Sequence, residues 1–264
     1  MKQQVEERHL RVGNFMSSPV VTVRPETAFV DAIRMMILKG IGNLVVAEGE
    51  RVDGIITERE LLQYLVLNKT IPNKQVKYIL TKKFTKLAPE TSILEAAKTM
   101  ISKKTRLLVF RKDKRTGTDQ LTGIVTASDI VRAFFQTDRN PSIESAMTNR
   151  IFTLKPTSTI LAAAKIMLKK GIGSVVATTN GPPYAIFTER DLLNRVLSEH
   201  VDVEEKLGAY CTHPLVTAKQ GIGAKDAAKI MLSHKIKRLP LTKGKEVVAM
   251  VTARDLVEAF QRGR

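Results

Sequence analysis

The sequence predicts an α+β chain built from four strand–helix–strand–strand–helix repeats. Two observations carry that prediction. First, one junction recurs four times: an apolar strand ends in Thr, two variable residues follow, then an acid, then an apolar helix. The copies are Gly54-Ile55-Ile56-Thr57-Glu58-Arg59-Glu60, Gly123-Ile124-Val125-Thr126-Ala127-Ser128-Asp129, Ala185-Ile186-Phe187-Thr188-Glu189-Arg190-Asp191 and Ala249-Met250-Val251-Thr252-Ala253-Arg254-Asp255. Second, the copies lie about 65 residues apart, and internal periodicity outweighs total length in setting architecture. A unit of that size buries only about 60% of its unfolded surface, so repeats are expected to share cores in pairs.

The elements of the first repeat follow in order. Pro19-Val20-Val21-Thr22-Val23 reads as a strand, and Pro25-Glu26-Thr27 as a helix start. Residues 28–39 place Ala28, Met35, Met36 and Ile37 at helical spacing, and Gly40-Ile41-Gly42 stops that helix. Leu44–Ala47 and Val52–Ile56 read as two strands about a turn at Glu48-Gly49-Glu50, and Thr57 opens a second helix over 58–67. The later repeats start near Ile79, Met147 and Cys211, after polar linkers containing Pro72 and Pro141 in the first two cases. The repeats are expected over 10–68, 76–135, 141–198 and 206–262. Repeats one and three share Lys-Gly-Ile-Gly and Thr-Glu-Arg, whereas two and four share Thr-Ala. Pro25 to Pro156 and Thr57 to Thr188 both span 131 positions, as a doubled two-repeat unit would, which predicts modules at 10–135 and 141–262.

Of the 264 residues, 43 are Lys or Arg and 26 are Asp or Glu, a net charge of +17 that favours anionic partners. The single cysteine, Cys211, excludes an internal disulfide. The polar N-terminus, MKQQVEERHLRV, predicts no signal peptide, and no apolar run suits a membrane span. A soluble, cytoplasmic protein is expected. His9, His200, His213 and His234 lack metal-ligand spacing, and no nucleophile–base–acid set is visible, so no enzyme is expected.

These residues resemble the CBS domain, and paired copies resemble the Bateman module. Four copies are similar to stand-alone archaeal CBS proteins and, in architecture, to the gamma subunit of AMP-activated protein kinase. The resemblance implies two Bateman modules in a disc. It also implies an adenosyl ligand, namely AMP, ADP, ATP or S-adenosylmethionine, in clefts between paired repeats as a regulatory ligand rather than a catalytic cofactor. It assigns ribose and phosphate contacts to Thr126 with Asp129, Thr188 with Asp191, and Thr252 with Asp255. The chemistry is apt: a helix start offers unpaired N–H groups to phosphate, and a carboxylate accepts from both hydroxyls of a diol. Thr57 is matched with Glu60 in place of Asp, which argues against a normal first site. The same spacing is also a capping box that needs no ligand.

Thr22, Thr153 and Thr217, late in the first strand, are implied to line the purine pocket, with Lys86 departing from the pattern in repeat two. Arg106, Arg190, Lys237 and Arg238 are candidate phosphate partners, and the sites of repeats three and four combine the most parts. The net charge, with lysines and arginines crowded through repeat two, supports an alternative: a basic nucleic-acid-binding or scaffold protein. Both a homodimer and a partner protein are compatible with this pattern.

Overall fold

The computed structural model describes residues 10–69, 74–179 and 182–262. The polar stretch before Leu10 and Pro72 of the first linker lie outside the described residues. Each repeat forms one three-stranded sheet and two helices, as expected. Repeat one contains β1 (Thr22–Val23), α2 (Phe29–Leu38), β2 (Asn43–Glu48), β3 (Arg51–Thr57) and α3 (Glu58–Asn68), after a short lead-in helix α1 (Val12–Phe15). Repeat two contains β4 (Phe84–Leu87), α4 (Ile93–Lys103), β5 (Arg106–Lys112), β6 (Asp119–Val125) and α5 (Ala127–Phe135). Repeat three contains β7 (Thr153–Leu154), α6 (Ile160–Lys170), β8 (Ser174–Thr178), β9 (Pro183–Thr188) and α7 (Glu189–Asp191). Repeat four contains β10 (Ala218–Lys219), α8 (Ala224–Ser233), β11 (Arg238–Lys243), β12 (Glu246–Thr252) and α9 (Ala253–Arg262).

The topology is the same each time. The first strand runs parallel to the second, across a helical crossover, and the second pairs antiparallel with the third through a hairpin. A register shift falls at the same place in all four hairpins, after Val46, Val109, Ala177 and Leu241. Two details differ from the sequence expectation. The first strands of repeats one, three and four are only two residues long, so Thr217 precedes its strand. The second helix of repeat three is α-helical for one turn and then widens into a π-helical stretch, Leu192–Leu197, whose Leu192, Leu193, Val196 and Leu197 are all buried.

The described chain forms two compact units. One comprises residues 21–82 and 151–216, and therefore the sheets and helices of repeats one and three. Its core joins Phe29, Ile33 and Met36 of α2, Leu62 and Leu65 of α3, Met167 of α6 and Phe187 of β9. The other comprises residues 1–20, 83–150 and 217–264, and therefore repeats two and four. There α5 and α9 pack together, with Phe134 and Phe260 stacked at 5.1 Å between ring centroids. Alternate repeats thus share cores through helices. The 131-residue spacing marks these same repeats as equivalent, but it does not show that they pack together.

The unit boundaries cut just ahead of the first strands because each lead-in segment belongs to another repeat's sheet. Thr81, leading into repeat two, exchanges two backbone hydrogen bonds with Ile55 of repeat one, at 2.9 Å each. Ser17, leading into repeat one, does the same with Ile124 of repeat two, at 2.9 and 3.1 Å. Thr212 and Ile186, and Thr148 and Met250, repeat the exchange between repeats three and four. Each third strand would otherwise present an open edge.

This lead-in contact explains the glycine in the recurring junction. A Cβ on Gly54 would lie 2.6 Å from the Thr81 carbonyl oxygen, and one on Gly123 would strike the Met16 side chain. Gly54→Val is expected to displace the lead-in segment and cost about 1–3 kcal/mol as overpacking. In a thermal melt followed by circular dichroism, an unchanged midpoint would refute the role assigned to this contact.

Candidate functional site

All four junctions close as capping boxes. The hydroxyl of Thr57, Thr126, Thr188 or Thr252 accepts a backbone N–H in the first helical turn, while the carboxylate three residues on accepts the threonine's own N–H. The distances from threonine N to carboxylate oxygen are 2.9, 2.9, 2.8 and 2.8 Å in chain order. One oxygen of every carboxylate is therefore committed to its own main chain. A diol gripped by Asp129, Asp191 or Asp255 would therefore share one oxygen with the main chain and meet the second directly.

The fate of that second oxygen separates the repeats. In repeat two, Arg132 donates to Asp129 Oδ1 at 3.0 Å and to the Phe15 carbonyl at 2.7 Å. In repeat three, Thr212 donates to Asp191 Oδ1 at 2.5 Å, and Arg195 lies 3.7 Å from it while donating to the Cys211 carbonyl. Both aspartates are buried and fully used. In repeat four the residue matching Arg132 is Glu258, which pairs with Arg262 instead. Among the described residues, Asp255 Oδ1 has no hydrogen-bond donor. Burial pushes the Asp255 carboxyl above its ordinary range against the pull of the Thr252 hydrogen bonds, and Glu258 pushes the same way.

The cations are divided in the same manner. In the unit of repeats one and three, Arg59 pairs with Glu189 at 3.0 Å and Arg190 pairs with Glu58 at 3.3 Å, a reciprocal clasp across two helix starts. Glu58 and Glu189 are buried, and Arg59 also reaches the carbonyls of Met167 and Gly171. Arg190, expected to hold phosphate, is thus engaged by a protein carboxylate. The clasp explains the shared Lys-Gly-Ile-Gly. Gly42 faces the Glu58 carboxylate, which would lie 2.7 Å from an added Cβ, and the carbonyls of Gly42 and Gly173 accept the N–H groups of Glu58 and Glu189.

Repeats two and four replace the glycines by Thr105 and Lys237, and the glutamates by Ala127 and Ala253. Arg254 there donates to the Met100 carbonyl at 2.7 Å, as Arg59 does to Met167, but no acid lies within ion-pair distance among the described residues. Its guanidinium is pushed below its ordinary value, first by burial and then by the nearby Arg106. The Nε of Arg106 is buried without a hydrogen-bond partner among the described residues. Arg238, the first residue of β11, is the register partner of Thr252, and the preceding Lys237 accepts the Ala253 N–H. Arg238, Arg254, Thr252 and Asp255 therefore converge on one strand-to-helix junction.

The remaining candidates sit farther out or are sealed. Thr22 and Thr153 are exposed on β1 and β7, and Thr217 is exposed ahead of β10. Thr57 is buried behind its box with Glu60. Cys211 is buried, and its thiol is pushed up to about 12, mainly by desolvation. Among the described residues, no group of three His, Cys, Asp or Glu is placed to hold a metal, and no helix is long and apolar enough to cross a membrane. Sequence reasoning missed the clasp and the unpaired oxygen of Asp255. The signal for the first was the paired change of Gly with Glu to Thr or Lys with Ala. The signal for the second was Glu258 in the place of Arg132.

Comparison with known proteins agrees with this architecture. The CBS domain model matches residues 12–67, 76–136, 143–198 and 207–262. An uncharacterized 33.4 kDa protein of Thermofilum pendens is 30% identical over 180 residues, covering 63% of this chain and 58% of that protein, so the chain spans little more than half of that relative. Protein MJ1225 of Methanocaldococcus jannaschii is 27% identical over 195 residues, covering 67% of this chain and 68% of its own. Its crystal structure superposes with a TM-score of 0.78 at 21% identity, covering 95% of this chain and 99% of that one. A conserved protein of Pyrococcus horikoshii superposes with a TM-score of 0.64 at 19% identity over the same shares.

Breaking one arm of the clasp leaves a half-buried arginine without its acid. Glu58→Ala is expected to destabilise by about 1–3 kcal/mol, between the values for exposed and buried pairs. Adding Arg190→Met should recover part of that loss. Urea unfolding of the single and double variants measures both, and strict additivity would exclude coupling between the two residues.

Proposed function

The chain belongs to the CBS-domain family, whose domains are commonly regulatory and nucleotide-sensing, and from that premise we propose that it senses an adenosyl nucleotide at the junction of repeat four. The observation that carries this reading is that Asp255 Oδ1 has no donor among the described residues and lies beside the neighbouring guanidiniums of Arg254 and Arg106. A ribose hydroxyl donates to that oxygen, and the helix start with Thr252, Arg238 and Arg254 suits phosphate. Arg106, with its unpartnered Nε, adds a second guanidinium close to Arg254. Thr217 lies just ahead of β10, where the base would meet it. The equivalent places in repeats one and three are filled by protein carboxylates, which occupy the arginines a phosphate would need. Repeat two has its aspartate closed by Arg132.

On this reading the protein acts by binding and not by catalysis, and AMP, ADP, ATP and S-adenosylmethionine are the ligands to compare. Consecutive repeats are the regulatory modules in this proposal, because their lead-in segments are exchanged reciprocally within the first pair and within the second. Ligand acts by differential affinity for two arrangements of these repeats.

Calorimetric titration of the full chain tests the assignment. At a ligand concentration 100 times Kd the protein gains about 2.7 kcal/mol, visible as a raised melting temperature. Asp255→Ala should weaken binding on the order of tenfold or more, the loss expected for a charged hydrogen bond. Asp191→Ala should lower stability and leave the nucleotide affinity in place. The reverse pattern, or no heat with any of the four ligands, would remove the proposal.

The raised Asp255 pKa adds a pH signature. The folded carboxyl holds its proton more tightly than the unfolded one, so its contribution to stability is present at low pH and declines as pH rises through the folded pKa. The ligand's hydroxyl donates best to the ionised form, so affinity should fall on acidification before the ordinary aspartate range is reached. Calorimetry across a pH series on the wild type and Asp255→Asn checks this. Equal pH dependence in both would exclude Asp255 as the titrating contact.

A further inference from the structure

The positive charge of the chain is segregated. The unit of repeats two and four carries 27 Lys and Arg against 13 Asp and Glu, a net +14. The unit of repeats one and three carries 16 against 13, a net +3, although the two are nearly equal in size. Pairing occurs in both units, and in the basic one Lys86, Arg132, Lys225 and Arg262 lie against acids. In the near-neutral unit Arg34, Arg51, Arg59, Lys69, Lys77, Arg190 and Arg195 all lie against acids.

The hairpin between the second and third strands shows the segregation at one equivalent place. In repeat one it reads Glu48-Gly49-Glu50-Arg51, and in repeat three it begins with Thr178 and carries no charge through Tyr184. In repeat two it reads Arg111-Lys112-Asp113-Lys114-Arg115, and in repeat four Lys243-Gly244-Lys245. Arg111, Lys112, Lys114 and Arg115 are exposed, and none has an acid within ion-pair distance among the described residues. The one acid in that run is turned inward. Asp113 Oδ1 accepts from the backbone N–H groups of Arg115 and Thr116 at 2.7 and 3.0 Å, and its Oδ2 accepts from Gln120 at 3.0 Å. The turn is thereby braced, and four cations are presented on a fixed frame.

We infer that the unit of repeats two and four binds double-stranded nucleic acid through its phosphate backbone, with the hairpin at Arg111–Arg115 as a principal contact. The alternatives are disfavoured by what the unit lacks. Single strands are held on exposed aromatic faces, but all four tyrosines belong to the other unit, the chain has no tryptophan, and Phe84 and Phe110 are half-buried or buried. An anionic membrane is gripped by cations beside inserted apolar side chains. Among the described residues the exposed large hydrophobics, Leu38, Leu67, Tyr78 and Tyr184, all lie in the other unit. Cations without stacking or inserting partners read backbone charge and not sequence. This inference does not depend on the nucleotide reading.

The test is fluorescence anisotropy of a labelled mixed-sequence duplex titrated with the full chain over a range of salt concentrations. Binding should weaken steeply with salt. Combined Arg111→Ala, Lys112→Ala, Lys114→Ala and Arg115→Ala should lower the slope of log affinity against log salt by about 3 to 4, at roughly 0.9 per phosphate contact. Lys114→Gln and Arg115→Gln should each lower it by about 0.9, and their mildness guards against a folding defect. Replacing Arg24, Lys39, Lys155 and Lys206 of the other unit by Ala should leave the slope unchanged. The inference is overturned if the duplex is not bound at low salt or if the hairpin and control variants behave alike. It is equally overturned if single strands, anionic vesicles or polyglutamate bind with the same hairpin dependence and more tightly than the duplex.

Discussion

Everything in each repeat hangs on the turn where a threonine leaves the sheet and a carboxylate three residues later folds back to receive its N–H. That reciprocal bond satisfies backbone donors a helix start cannot satisfy for itself. It also fixes where the carboxylate's other oxygen points. Each junction divides the carboxylate differently between its own main chain and other partners. Arg132 and Thr212 settle the question for the protein in repeats two and three. Among the described residues, no donor meets the other oxygen of Asp255 or that of Glu60 in repeat one.

Much of this was legible in the letters. Alternating apolar runs, glycine stops and the recurrence of Thr-x-x-acid suffice to place the strands and helices, because periodicity and turn chemistry are local. The capping-box reading of that motif holds at all four junctions, and the ligand reading is a proposal that rests on the other oxygen. The exchange of lead-in segments was not legible, because two isolated backbone bridges need no particular side chain. Its one trace is the smallness of Gly54 and Gly123. Nor could spacing reveal that alternate repeats pack through helices, since equivalence by duplication and contact in space leave the same pattern. The clasp of Glu58, Arg59, Glu189 and Arg190 was visible only as the unexplained difference between Thr-Glu-Arg and Thr-Ala.

The two units have taken opposite courses from a common plan. In one, glutamates follow the threonines, glycines make room for them, and arginines are neutralised internally. In the other, alanines stand in the glutamates' place, and Arg254 lies near Arg106, with Asp255 and Glu258 close by but no acid at ion-pair distance among the described residues. Two neighbouring guanidiniums cost free energy unless an anion relieves them. The first arrangement neutralises its arginines within the protein, whereas on the proposed reading the second leaves that to a bound anion.

The borrowed edges of the sheets carry a consequence for how such a chain arises. A lone repeat excised from its neighbour would lose the segment that closes its own sheet while keeping one that closes another's. A consecutive couple keeps both of its sheet edges closed, since the exchange is mutual. The 131-residue echo in this sequence fits the doubling of such a couple.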